Sequence, residues 1–239
     1  MKRRHLITGF VALACAMLVS RADAAVTGTS GAAPDASRFS PTVDHPLVAL
    51  SSVRLKVFEG RERDARTGEL VAIRSEVRVL GRTARVAGVR VAVVDVKEFE
   101  DGALVEHTLD YYAQRDDGSV WYFGERVDDY EDGKLVGHGG QWFAGRNGAR
   151  PGLYMPAHVR VGQAFAQEQA PGVAEDRSTV VAVGRTVKTP AGTFRDCIKT
   201  RDVAPLDKKT ESKFYCRGVG LVREQSTTVL SNLARYTKR

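Results

Sequence analysis

The side chains with the widest chemical reach in this sequence are the carboxylates Asp110, Glu125, Asp128, Asp129, Glu131 and Asp176, interleaved with the aromatics Tyr112, Trp121 and Tyr122. Two acids flanking a cleft, with a ring to stack on a sugar, is the arrangement of a glycoside hydrolase. Most of these acids fall in turns or on strand faces that read as solvated, where charge is the default. No Gly-x-Ser-x-Gly elbow is present, and Ser119 belongs to a turn. Gly145-Arg146-Asn147-Gly148 is followed by no helical pattern, so it is a loop and not a phosphate cradle. His107 and His138 occupy equivalent places in a repeated segment, but no third ligand is spaced to complete a metal site with them. No catalytic residue, metal or cofactor is assigned on these patterns.

Binding chemistry has the broader base. Tyr112, Tyr122, Tyr130, Trp142 and Met155, with Asp110 and Gln114 as polar anchors, would suit an apolar or amphiphilic, lipid-like ligand. The same aromatics would equally fill a core. Three readings therefore stand: a binding protein, a cell-envelope interaction or structural module with a filled core, and, more remotely, a carboxylate-based glycoside hydrolase.

These residues are positioned by a hairpin. Two runs rich in aromatic and β-branched residues flank Asp116-Asp117-Gly118, and Gly118 can adopt the left-handed conformation that closes a three-residue loop with a bulge. With Arg115 facing Ser119, Tyr112 falls opposite Tyr122. Leu109, Tyr111, Ala113, Trp121 and Phe123 then share one face, and Asp110, Tyr112, Gln114, Tyr122 and Arg126 the other.

The remaining chain reads as more of the same. Val53 to Glu59 alternates, Leu70 to Leu80 is a second strand, Gly81 to Gly88 a connection, and Val89 to Val96 a third strand. Asp101-Gly102 and Asp132-Gly133 open two similar runs, which predicts one hairpin turn used twice. Leu153 to Val161 predicts an extended segment laid over the sheet as a cover. Strands are expected over Thr179 to Thr189 and Thr193 to Asp202, then around Cys216 and over Leu221 to Leu230. No stretch shows sustained helical periodicity. The expected architecture is all-β: a single curved antiparallel sheet of about ten or more strands, a meander forming a half-barrel or open barrel, with an irregular covering segment.

The start of the chain bounds the compartment. A basic Met1-Lys2-Arg3-Arg4-His5, an apolar run from Leu6 to Ser20 and Ala22-Asp23-Ala24 predict a signal peptide cleaved after Ala24. Ala12-Leu13-Ala14-Cys15 offers a lipoprotein alternative, with membrane contact through Cys15, and Arg3-Arg4 a weaker twin-arginine one. Residues 25–43 read as a flexible linker and 44–239 as one domain. The protein is expected to be exported, to the periplasm or the exterior. Cleavage lowers the formal charge from +7 to about +4, with basic and acidic residues dispersed, so nucleic-acid binding is not implied. Only Cys197 and Cys216 then remain, and export favours a disulfide between them over two free thiols or a metal.

Several segments together carry a resemblance: Asp110-Tyr111-Tyr112-Ala113-Gln114, Asp117 to Glu125, Pro171 to Asp176, Thr189 to Phe194 and Gly218 to Val222. Over roughly Asp44 to Glu224, as matched by these motifs, the chain resembles a family of secreted bacterial all-β proteins of unassigned activity. Ser51-Ser52 stands where that family usually has a Pro-Gly turn. A looser fold-level similarity is to the half-barrels of outer-membrane lipoprotein carriers, which implies a curved open sheet but no activity.

Overall fold

The computed structural model describes residues 34–64 and 67–239. The leader and its cleavage site, the Cys15 alternative and the start of the linker lie outside the described residues. The described residues form fifteen strands: β1 (Phe39–Ser40), β2 (Val53–Arg63), β3 (Leu70–Val86), β4 (Val89–Glu100), β5 (Ala103–Arg115), β6 (Val120–Glu131), β7 (Lys134–Gly137), β8 (Trp142–Phe143), β9 (Gly152–Met155), β10 (Ala164–Ala166), β11 (Arg177–Thr189), β12 (Gly192–Ala204), β13 (Lys209–Cys216), β14 (Gly220–Gln225) and β15 (Val229–Lys238). They form a single antiparallel sheet in the order β10-β11-β12-β13-β14-β15-β2-β3-β4-β5-β6-β7, with β8 and β9 also on β6 and β1 on β5. The all-β meander expected from the alternation is what forms. Pairing of β15 with β2 joins the two halves of the chain, Asn232 facing Glu59.

The sheet curls but its ladder does not close into a barrel. Its two ends meet in a seam held by one bridge, Arg150 to Gln169, and by side-chain amides: Gln169 Nε2 donates to the Pro151 carbonyl at 2.7 Å and Gln167 Nε2 to that of Tyr154 at 3.3 Å. Gly152 permits this approach, because a Cβ there would sit 1.8 Å from the Gln167 carbonyl oxygen.

Turn chemistry sets the register. Asp101-Gly102 and Asp132-Gly133 have positive φ at both positions, the two-residue hairpin geometry that matches strand twist. Gly118 closes the β5–β6 loop, with Arg115 N–H donating to Ser119 O at 2.8 Å, and Tyr112 pairs with Tyr122. Beyond that pair the expected facing fails. Gly124, at φ 116°, makes a bulge, and Asp110 pairs with Glu125 and Leu109 with Arg126. The extra residue turns Glu125 inward and Arg126 outward, since one slip exchanges faces.

Three further expectations are corrected. Gly81 does not end a strand: β3 runs on to Val86 through a register shift, and the turn is Ala87-Gly88, with φ 48° and 81°. The segment expected to roof the sheet instead adds to it, because β9 pairs with Val120, Trp121 and Tyr122 of β6, which satisfies backbone groups that a crossing strap would leave buried and unpaired. The linker expected to reach residue 43 is shorter. Ala36–Arg38 form a 3₁₀ turn, and Phe39 pairs with Arg115. The Phe39 ring packs edge-on to Phe123 at 5.3 Å and to Trp121 at 6.3 Å. Arg38 makes two 2.8 Å hydrogen bonds to Asp116. Isolated contacts of this kind have no periodicity to betray them.

Residues 43–52 form a cap over one end of the sheet. Ser51 N–H donates to Val43 O at 2.9 Å, and Gly218 N–H to Pro46 O at 2.7 Å. The Gln114 amide fastens it, accepting from the backbone N–H of Asp44 and His45 and donating to Asp44 Oδ1. Buried His45 accepts from Leu47 N–H at Nδ1 and meets the Pro156 carbonyl at Nε2, so it is a neutral clasp whose pKa burial lowers. The turn at Ser51-Ser52 is kept without Pro-Gly, Ser52 N–H donating to Ala49 O at 3.2 Å. Cys197 and Cys216 face one another across β12 and β13 and are disulfide-bonded.

Candidate binding site

Beneath the cap lies a cavity of about 50 Å³, room for about three to five waters at roughly 10–15 Å³ each. Its walls differ in kind. Val77 of β3, Val94 and Val96 of β4, and Leu47, Val48 and Leu50 of the cap are aliphatic. Lys56 of β2, Asp110 and Tyr112 of β5, Tyr154 of β9, and Lys213 and Tyr215 of β13 supply charge and hydroxyls. Alternation explains this: each strand sends every second side chain inward, and some of those carry charge.

The aromatics pack mainly on one another. Tyr112 stacks on Tyr122 at 4.8 Å and meets the edge of Tyr154 at 4.9 Å; Trp142 is edge-on to Tyr122 at 5.4 Å. Tyr122 and Met155 are fully buried. Of the residues expected to hold a ligand, Asp110 and Tyr112 line the cavity, Tyr122 packs behind Tyr112 and Trp142 against Tyr122, Gln114 fastens the cap, and Tyr130 and Met155 are not on its wall. Sequence reasoning missed Lys56, Lys213 and Tyr215 as cavity residues. The even-numbered face of Val53 to Glu59 was the available signal for Lys56.

The interior is unusually ionisable. Lys213 reaches Glu211 at 3.0 Å, Glu224 at 3.4 Å and Asp202 at 3.7 Å. Burial works against its charge, yet these carboxylates outweigh burial and hold the ammonium well above the ordinary lysine range. Burial pushes Glu224 up to about 8 against the pull of Lys213. Lys56 has no such partner. Among the described residues it makes no ion pair and no hydrogen bond, the Phe58 ring lies 5.8 Å away, and burial lowers it to about 8.

The acids read as solvated are in large part enclosed, which corrects that expectation. Asp110 accepts from Tyr122 OH at 2.8 Å, and burial raises it to about 7. Glu106 accepts from Thr108 Oγ1 at 2.8 Å and rises to about 8 by burial. Glu125 and Glu168 are wholly enclosed, with no hydrogen-bond partner at either carboxyl oxygen. Burial, then the neighbouring acids, drive both well above the carboxylate range. Glu131 alone of the group stays exposed on its strand. Glu106, Glu125 and Glu168 therefore hold their protons near pH 7 and Asp110 is only partly ionised there, so these four do not form a ring of charge.

Glu168 also forms the floor of an open groove of about 690 Å³ along the seam, between Arg150, Phe165, Glu175 and Arg177. On the outer face, His107 contacts Asp95 at 2.6 Å, and His138 contacts Asp128 at 3.0 Å. His107 stands opposite Asp128 across β5 and β6, but its ring contacts Asp95 and only His138 contacts Asp128. No group of three or more His, Cys, Asp or Glu among the described residues is arranged to hold a metal ion.

No protein-family model, curated protein or solved structure matches this chain.

Proposed function

We propose that this is an exported, non-enzymatic protein that takes a small amphiphilic molecule into the cavity beneath its cap. The observation that carries this reading is the two-sided wall, aliphatic on β3, β4 and the cap and ionisable on β2, β5 and β13. An apolar cavity would stay empty and a polar one would hold only water; a wall of both kinds matches a molecule with a tail and a head. A volume of about 50 Å³ is well below the ~150 Å³ of an apolar cavity that admits benzene, so even a short chain requires the cap to lift. The cap is held by hydrogen bonds and by the burial of Val43, Leu47, Val48 and Leu50, not by a ladder, so lifting it would uncover those side chains while leaving the strand pairing in place. The disulfide supports an oxidising compartment.

Native mass spectrometry of protein purified from its own host without detergent is expected to show a bound small molecule. Val96→Phe, which fills the aliphatic side, is expected to release it with the fold retained. An unliganded protein that also fails to bind short amphiphiles would refute the reading.

A second reading, an envelope interaction module, is favoured by β7. This short edge strand presents Leu135 and Val136 to solvent, 53% and 59% exposed, and an uncovered edge is a template for another strand. Glycoside hydrolysis finds less support, since Asp110 and Glu125 are direct cross-strand partners enclosed together, with no cleft between them for a sugar and water.

A further inference from the structure

We infer that the head group received by this cavity is a carboxylate, bound by the ammonium of Lys56. The inference rests on the binding reading above and adds the chemistry of the ligand.

Lys56 is 7% exposed and lines the cavity, yet none of the described residues makes an ion pair or hydrogen bond with it, and the Glu224 carboxyl that pulls on it is already engaged by Lys213. A buried ammonium without a counter-charge is costly, and the cost is recovered when an anion joins it. Lys213, the other interior amine, is saturated by Glu211, Glu224 and Asp202. One unmet cation therefore faces the cavity, which suits a singly charged head and not a phosphate dianion. Space beside Lys56 is kept by Gly220: a Cβ there would lie 3.4 Å from Lys56 Nζ and 2.6 Å from the Val48 carbonyl. A tail would then lie along Val77, Val94 and Val96 under the cap.

Asp110 completes the head-group site. In its protonated form it donates a hydrogen bond to the bound carboxylate, while Tyr122 OH occupies its other oxygen. The charged and titratable groups that line the cavity with Lys56 are Asp110 and Tyr112 on β5, Tyr154 on β9, and Lys213 and Tyr215 on β13, and Glu224 on β14 also acts on it. The three tyrosines stay neutral, being raised by burial, and Lys213 stays charged. With rising pH, Asp110 ionises near 7 and Lys56 loses its proton near 8. Both changes act against an anion, so carboxylate binding should be strongest at pH 5 to 7 and lost by pH 9.

The test is calorimetric titration of the full chain with hexanoate and 1-hexanol, two molecules of equal length that differ in head charge. At pH 6, hexanoate should bind at least 10-fold more tightly than hexanol. Lys56→Met should abolish that preference while leaving hexanol within about 2-fold, and raising the pH to 9 should abolish it in the unmodified protein. The pH arm needs no variant, so the inference stays testable even if Lys56→Met folds poorly. Decanoate distinguishes the source: tighter binding than hexanoate marks a lipid acyl chain, weaker binding a short free acid, and each keeps the carboxylate. Equal binding of hexanoate and hexanol, unmoved by pH and by Lys56→Met, would overturn the head-group assignment and leave the binding site standing. Binding of neither would overturn the binding reading and this inference with it.

Discussion

Replacing Asp110 by Asn should stabilise the protein at alkaline pH and do nearly nothing in acid. Asp110 is buried, and its carboxyl rises from 3.8 to about 7 in the folded chain. A group that holds its proton more tightly when folded contributes no penalty below its unfolded value. As pH rises from 3.8 the unfolded chain ionises and the folded one does not, so stability falls, by up to about 1.4 kcal/mol for each pH step. The loss is complete above about 7 and amounts to about 4 kcal/mol in all. Asn does not titrate, keeps an oxygen to accept from Tyr122 OH and nearly matches the protonated acid in shape. Neighbouring Glu106 and Glu125 titrate in the same enclosure, and water admitted on ionisation softens the penalty, so about half is expected to be measurable. That is about 2 kcal/mol at pH 8, or roughly 4–8 °C in Tm for a chain of this size, shrinking towards zero at pH 4. Urea melts of both proteins at pH 4.5, 6, 7 and 8.5 read the difference directly. A constant difference across pH, or a variant less stable at pH 8.5, would show that Asp110 is ionised in the folded state.

Other perturbations follow from the same geometry. The unmodified protein itself should be more stable at pH 5 than at pH 8, because Glu106, Glu224 and Asp110 all hold protons that the unfolded chain has lost; a midpoint in urea that rises over this range would contradict it. Gly124→Ala should cost several kcal/mol or prevent folding, since a Cβ at φ 116° would meet the Trp142 carbonyl at 2.3 Å, and a normally soluble, cooperatively melting variant would count against the bulge. Unfolded, unreduced protein should show no thiol from Cys197 or Cys216, and the double Ser variant should lose about 3 kcal/mol for a loop of about this length. Arg38→Ala should leave the urea midpoint nearly unchanged, in keeping with an exposed ion pair, and a clear drop would mean that the segment before β2 is integral to folding.

Much of the sheet was legible because its signals are local. The aromatic and β-branched runs flanking Asp116-Asp117-Gly118, the Asp-Gly turns at 101–102 and 132–133, and Gly118 each act through the nearest few residues, and strands and turns form there. The pairing of Tyr112 with Tyr122 is reached by counting from a turn, and that of Cys197 with Cys216 follows from their being the two cysteines left after export. The count held only until the first bulge. At Gly124 the register shifts where β8 pairs with β6 closely enough that a Cβ would lie 2.3 Å from the Trp142 carbonyl oxygen, a neighbour from outside the hairpin, and Glu125 rather than Arg126 enters the interior.

The cavity belongs wholly to the second kind of information. Lys56 and Asp110 are ordinary inward positions on two strands, and nothing near either in sequence says whether the space before it holds solvent, a counter-ion or nothing. That was decided when β15 met β2, when Gly152 let the seam draw together, and when Gln114 pinned residues 43–52 over the opening. Side-chain alternation acts over neighbouring residues and is written in their order. Enclosure, and with it the protonation of every interior acid and amine, depends on what arrives from distant parts of the chain, and only the folded protein expresses it.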